Sequence, residues 1–300
     1  MSKIIKPQKI DLSKETTFRL GCVAEEVYLP SSIDEFCELL TLHPDSVILG
    51  AGSNVIISSE KVSSPVILTK NLNTFSIENN LATSQCGVKT AFSAQKALEA
   101  ELSGFEFLTC IPASIGGVIY MNASAHGQSI ADIIVSAKVF DLQGKKILEL
   151  SKEDLKLNYR TSILQEKPII LLEAKFELQK IAKNLIKERM EANKAYRQKH
   201  HPSMATPNAG SIFRNPTGAI AGELIEKAGL KGTTIGGAKI SEIHANFIVN
   251  TGSATSFDIL QLMFFIQENV QEKYGYKLQP EVKYIGNIKK EEQVWQKLNN

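Results

Sequence analysis

The feature that most limits how this chain can fold is a series of short, β-branched apolar runs, each cut off by turn residues. They lie at 47–49, 55–57, 66–68, 135–140 and 169–176. None is long enough for a helix that packs on its own, and each is bounded by Gly, Pro, Asn, Asp or Ser, which is the pattern of strands. Asp141-Leu142-Gln143-Gly144 reads as a hairpin connection between two of them. Two helices interrupt the strands. One opens at Ser32, with Glu35 three residues on as a capping box, and buries Phe36, Leu39 and Leu40. The other covers about 90–102 and stops at Gly104.

Near residue 180 the texture changes. Residues 180–201 carry seven Lys/Arg and two acids, with Ile181, Leu185 and Met190 at helical spacing. A basic helix of this kind could meet nucleic acid. The whole chain, however, has 34 basic and 32 acidic residues, a net +2, so a solvated helix at a domain boundary fits better and no nucleic acid is expected. A Gly/Asn/Pro-rich stretch, a helix near 218–228 and a strand at 245–249 follow. A helix over 255–274 has Thr255 and Asp258 as capping box and Gly275 as its stop, and a strand at 282–285 leads into a polar tail. The division expected is residues 1–180 and 181–300.

Several classes drop out. The longest apolar stretch, 259–266, is eight residues, against the ~20 a membrane span needs. The opening Met1-Ser2-Lys3-Ile4-Ile5 lacks the apolar core of a secretory signal. Cys22, Cys37, Cys86 and Cys110 form no C-x-x-C pair and read as reduced thiols, which implies the cytoplasm. The five histidines (His43, His126, His200, His201, His244) show no metal-ligand spacing, so no metal is expected.

Five places could carry chemistry. Gly50-Ala51-Gly52-Ser53-Asn54 follows a strand directly, where glycines let backbone N–H groups approach phosphate oxygens. It is neither a Rossmann fingerprint, since residue 55 is Val, nor a Walker loop. Ile111-Pro112-Ala113-Ser114-Ile115-Gly116-Gly117 is a second small-residue loop, with a helix start at its end. Two such loops together suit a pyrophosphate dinucleotide. Asn208-Ala209-Gly210-Ser211-Ile212-Phe213-Arg214-Asn215-Pro216 offers a hydroxyl and a cation, without the G-x-S-x-G of a hydrolase. Arg160 in Tyr159-Arg160-Thr161-Ser162 offers a planar fork for a carboxylate or phosphate. Glu281 opens a strand. Each taken alone is a common turn or surface residue.

Taken in order, these segments are no longer independent. G-A-G-S-N, I-P-A-S-I-G-G-V-I-Y-M-N-A, Y-R-T-S, A-G-S-I-F-R-N-P, H-A-N-F-I-V-N and P-E-V follow one another from about Thr17 to Val282. The chain thereby resembles the MurB family of UDP-N-acetylenolpyruvoylglucosamine reductases, in its shorter type II branch. The resemblance implies an α+β protein, with an FAD-binding region of the vanillyl-alcohol-oxidase (PCMH) type and a C-terminal α/β substrate-binding domain. It implies FAD contacts from Gly50, Ala51, Gly52, Ser53, Asn54, Ile111, Pro112, Ala113, Ser114, Gly116, Gly117 and Asn122. The implied catalytic groups are Arg160, Ser211 and Glu281, and the implied substrate contacts are Tyr159, Arg214, Asn215, His244 and Asn246. The implied reaction is NADPH-dependent reduction of UDP-N-acetylglucosamine enolpyruvate, a step of peptidoglycan precursor synthesis, with no obligate protein partner.

Three positions depart from the family pattern. Ala113 stands where glycine is usual, so a positive φ there would leave it strained. Ala123-Ser124-Ala125-His126-Gly127 replaces Ala-Gly-Ala-Tyr-Gly, and His201-Pro202 replaces Gln-Pro. The rival readings are another FAD-dependent oxidase or dehydrogenase of the same fold, and a catalytically inactive flavin-binding module.

Overall fold

The computed structural model describes residues 5–300; Met1 to Ile4, part of the segment read for a secretory signal, lie outside the described residues. The chain forms two compact units that interleave in sequence. The first takes in residues up to Lys6, Tyr28–Ala51 and Pro65–Lys199; the second takes Pro7–Val27, Gly52–Ser64 and His200–Asn300.

The first unit is built on a five-stranded antiparallel sheet. Its strand order is Lys146–Ser151, Ile134–Asp141, Ile169–Glu177, Leu81–Gln85, Phe75–Glu78. The expected hairpin is present: Asp141 pairs with Lys146, and its carboxylate accepts from the Gln143 N–H at 3.0 Å. The strands Val47–Leu49 and Val66–Leu68 pair in parallel, outside the five-stranded sheet. Helix α1 (Ile33–Leu42) is capped by Ser32, which accepts from the Glu35 N–H, and it buries Phe36, Leu39 and Leu40. The return bond of the capping box goes one residue further back, because Glu35 accepts from the Ser31 N–H at 2.7 Å. Helix α2 (Thr90–Glu99) ends earlier than its spacing suggests. Glu101 takes the left-handed conformation at φ 57°, and Leu102–Ser103 leave as a strand that pairs with Gln179–Lys180. Helix α3 (Ile115–Tyr120) starts at Ser114, and α4 (Lys183–His200) is the basic helix. It buries Ile186 and Met190, one turn apart, while Leu185 stays exposed. These faces close over one core with Phe105, Phe107, Val139 and Phe176.

The second unit holds a four-stranded antiparallel sheet in the order Asn208–Ser211, Phe247–Asn250, Ala238–Ile240, Thr234–Ile235. Val55–Ile57 pairs in parallel with Lys283–Ile285, from the far end of the chain. Helix α5 (Ala221–Lys227) and helix α6 (Ser256–Tyr274) pack against these strands. Helix α6 has the expected reciprocal Thr255–Asp258 box and stops at Gly275. The polar tail is a helix instead, α7 (Lys289–Asn299), with Leu298 fully buried. Gln267 of α6, buried, donates to the carbonyls of Leu278 and Leu298 at 2.7 and 2.9 Å and so ties α7 in place. The core runs through Phe18, Ile56, Phe213, Ile225, Met263 and Leu298.

Candidate active site

In the first unit Gly50 and Ser114, one from each glycine loop, meet. A Cβ on Gly50 would collide with the Ser114 hydroxyl, so only glycine lets the backbone approach this closely. Ser114 is buried and caps α3 by accepting from the Gly117 N–H at 3.4 Å. Gly116 donates to the Cys86 carbonyl at 2.7 Å, and Ile115 donates to that of Val88 at 2.9 Å, which pins the loop against the chain just beyond the Leu81–Gln85 strand. Thr90 binds the carbonyls of Ile111 and Ala113 through its hydroxyl. Ala113 is absent from the positive-φ residues, so the substitution of glycine here carries no backbone strain. Neither Gly50–Asn54 nor 111–117 contains an acid. Small residues, the lack of acids and the hydroxyls of Ser53 and Ser114 suit a phosphate-bearing ligand.

Arg160 lies on a tight turn in which Asn158 and Thr161 exchange both backbone hydrogen bonds, at 3.2 and 3.1 Å. Its φ of 57° is left-handed, a conformation a non-glycine residue holds only under outside constraint. The constraints are visible. Gln165 Nε2 donates to the Arg160 carbonyl at 3.0 Å and to that of Tyr120 at 2.7 Å, and buried Ser162 donates to the same Tyr120 oxygen at 2.8 Å. Arg160 Nη1 donates to Ser124 Oγ at 2.9 Å, and the guanidinium stands 5.3 Å from the centre of the exposed Tyr159 ring. Asn122 spends its side chain on backbone, donating to Asn158 O at 3.0 Å and accepting from Ala131 N at 3.0 Å. His126 packs edge-on against Tyr196 at 5.4 Å, and burial pushes its pKa below the ordinary 6.5.

The second unit brings Ser211, Arg214 and Glu281 together. Ser211 ends its strand opposite Phe247, after a bulge at Gly210. The next residues are held on two sides. The Glu281 N–H donates to Ile212 O at 2.7 Å and the Arg214 N–H donates to Gln279 O at 2.9 Å, so 279–281 runs alongside 212–214. Across the strand, Asn246 accepts from the Phe213 N–H at 3.0 Å and donates to Phe213 O at 2.8 Å. Asn54 also reaches this place: its amide donates to the Glu281 carbonyl at 3.1 Å, while the Lys283 N–H donates to Asn54 O at 3.0 Å. Gly52, at φ 60°, lies so close to Glu15 and Thr16 that a Cβ would overlap their backbone. Asn215 accepts from the first N–H of α5, at Ala221, at 3.0 Å. His244 accepts from the Asn246 N–H at 3.2 Å and stacks on His201 at 5.2 Å.

Four contributors were missed in the sequence. Lys283 stands two residues beyond Glu281, which on a strand means the same face; that spacing was a usable signal. Burial, with the charge of Arg214 nearby, pushes its pKa down. Ser124 and His201 were noted only as departures from the family pattern, and Gln165 gave no local signal of the turn it braces. Among the described residues, no cluster of His, Cys, Asp and Glu could hold a metal ion, all four cysteines are free, and no helix is long and apolar enough to cross a membrane.

Known proteins resemble this one over nearly the whole chain. Residues 24–151 match the family model "FAD binding domain", and 201–285 match "UDP-N-acetylenolpyruvoylglucosamine reductase, C-terminal domain". The chain is 39% identical over 294 residues to the UDP-N-acetylenolpyruvoylglucosamine reductase of Caldanaerobacter subterraneus subsp. tengcongensis, covering 95% of this chain and 97% of that protein. It is 40% identical over 281 residues to the Bacillus subtilis reductase of the same name, covering 92% of each. The crystal structure of the Thermus caldophilus reductase (MurB) superposes with a TM-score of 0.82 at 30% identity, covering 94% of this chain and all of that one.

Proposed function

The chain belongs to the UDP-N-acetylenolpyruvoylglucosamine reductase family, and on that premise we propose that it reduces UDP-N-acetylglucosamine enolpyruvate to UDP-N-acetylmuramate with electrons from NADPH. It is an FAD-containing oxidoreductase. The product is a precursor of peptidoglycan, and a nucleotide-sugar substrate with NADPH as reductant assigns the enzyme to the cytoplasm.

Gly50 to Asn54 and Ile111 to Gly117 would hold the FAD, through backbone donors and the hydroxyls of Ser53 and Ser114. When bound, FAD supplies hydride chemistry, accepting two electrons from NADPH and giving them to C3 of the enolpyruvyl group. The protein's task is then the charge left at C2 and on the adjacent carboxylate. Arg160 contributes a fixed positive charge to that enolate. Glu281 would serve as a hydrogen-bonding partner of that enolate, a role for which its carboxyl must be protonated. Ser211 delivers its hydroxyl proton to C2. A serine hydroxyl is a weak acid, and the positive charges of Arg214 and Lys283 favour the alkoxide that forms as the proton leaves.

The observation that supports this reading is the pairing of 279–281 with 212–214, which brings Glu281 alongside the residues that follow Ser211. The test is a visible spectrum of the holoenzyme under anaerobic conditions. Flavin bands bleach with NADPH and return when the enolpyruvyl substrate is added. Ser211→Ala keeps the bleaching and loses the return. Bleaching that the substrate never reverses would point to a flavoprotein with another acceptor. A flavin that NADPH never bleaches would point to an inactive binding module.

A further inference from the structure

We propose that His244 is a positioning residue for proton delivery: its neutral Nδ1 fixes the Asn246 backbone, and Asn246 in turn sets the strand that carries Ser211. This rests on the role of Ser211 proposed above.

The chain of contacts is continuous. The Asn246 N–H donates to His244 Nδ1 at 3.2 Å. The Asn246 carbonyl accepts from Ile212 N at 2.9 Å, and its side chain holds both the N–H and the C=O of Phe213. Three bonds from one buried residue therefore fix the two residues that follow Ser211. Asn246 is 4% exposed, so none of these bonds has water as a ready substitute.

The ring is itself immobilised. His244 stacks on His201 at 5.2 Å with an interplanar angle of 11°, and Phe247 packs against it at 4.9 Å. Its own loop is closed by Ser241 Oγ, which accepts from the N–H groups of Ile243 and His244, and by the Phe247 N–H donating to His244 O at 3.0 Å. An Nδ1 that accepts carries no proton, so the ring is neutral and any proton sits on Nε2. Protonation at Nδ1 would turn the acceptor into a donor facing the Asn246 N–H. Around the ring stand His200, His201, Lys231 and Glu226, while Glu242 on its own loop is paired with Lys239. Burial and the charge of Lys231 hold its pKa below the ordinary 6.5, with Glu226 opposing. Because the folded state disfavours the cation, the arrangement persists somewhat below the ordinary 6.5 and weakens only as the pH falls through the lowered pKa.

Two variants test this by stopped flow, with reduction by NADPH and reoxidation by the enolpyruvyl substrate followed separately. In His244→Ala, reduction proceeds as in wild type and reoxidation slows about tenfold, the loss of one buried hydrogen bond that orders a reacting group. His244→Asn places an oxygen near the position of Nδ1. It restores reoxidation to within about threefold, and its rate lacks the fall that the wild type shows as the pH drops through the lowered pKa of His244. Unchanged reoxidation in His244→Ala overturns the inference. So does equal slowing of both half-reactions in both variants, which would make the ring structural only. A raised KM with unchanged rates would instead make His244 a substrate contact and overturn it as well. A wild-type enzyme that the enolpyruvyl substrate never reoxidises removes the reading beneath it, and the inference with it.

Discussion

Arg160 shows how a single residue can be held against its own preference. A non-glycine residue at φ 57° costs about 1–2 kcal/mol relative to ordinary backbone. The cost is met by the Asn158–Thr161 turn, by Gln165 on the Arg160 carbonyl and by Ser124 on the guanidinium. The backbone is thus set by groups that have no chemistry of their own, and a hydroxyl helps to aim the side chain. Ser124→Ala removes only that hydroxyl. It should lower kcat about three- to tenfold, the worth of a part-exposed hydrogen bond to a charged group, and leave the urea midpoint nearly unchanged. An unaltered kcat would mean that Ser124 does not aim Arg160. Ala113 carries the opposite lesson: it replaces a customary glycine, yet its φ is not positive and the loop tolerates it.

At the scale of elements, capping chemistry was the most readable signal. Ser32 and Thr255 open their helices as their side chains dictate, and Gly275 closes α6. The end of α2 was misread because Glu101 already takes the left-handed turn, three residues before Gly104. Acidic residues seldom adopt that conformation, so the sequence held no warning. Helix α7 was missed altogether, since charged residues conceal a helix whose worth lies in burying Leu298 and Glu291. Glu291 accepts from Ser256 Oγ and Tyr284 Oη at 2.6 and 2.7 Å, contacts that exist only once α6, α7 and the last strand are assembled. Gln267 joins the same elements. Gln267→Leu keeps the volume but strands two buried carbonyls, so unfolding stability should fall by about 1–3 kcal/mol. A urea midpoint that drops at constant m would show it; no change would mean that the Leu278 and Leu298 carbonyls find other donors.

For the whole molecule, the organising fact is that sequence order and compactness part company. Residues 7–27 and 52–64 belong with the C-terminal unit, because Val55–Ile57 finds its partner in Lys283–Ile285 and Thr17 binds Asn208. A division at residue 180, drawn from a change in composition, has no access to such pairings, and α4 falls with the first unit up to Lys199. The loops read as dinucleotide-binding predict a stabilising ligand. At a hundredfold excess over its Kd, FAD that binds only the native chain contributes about 2.7 kcal/mol. The apoprotein should therefore gain several degrees in Tm when FAD is added, as read by scanning calorimetry. An unmoved Tm would mean that the native chain does not bind it.

The sequence alone settled those matters that depend on neighbours along the chain. The strand runs, the helix starts, the glycine loops and the ordered set of motifs were all of this kind. So was the choice of Ser211, Arg160 and Glu281 as candidates. Tertiary structure decided which groups act on those candidates. Ser124 and Gln165 for Arg160, Asn54 and Asn246 for the Ser211–Glu281 strands, and Lys283 beside Arg214 all reach across strands and turns. Local propensity covers a few residues of backbone, whereas these contacts join positions up to 227 residues apart. They form only after burial has removed the water that would otherwise compete for each donor and acceptor.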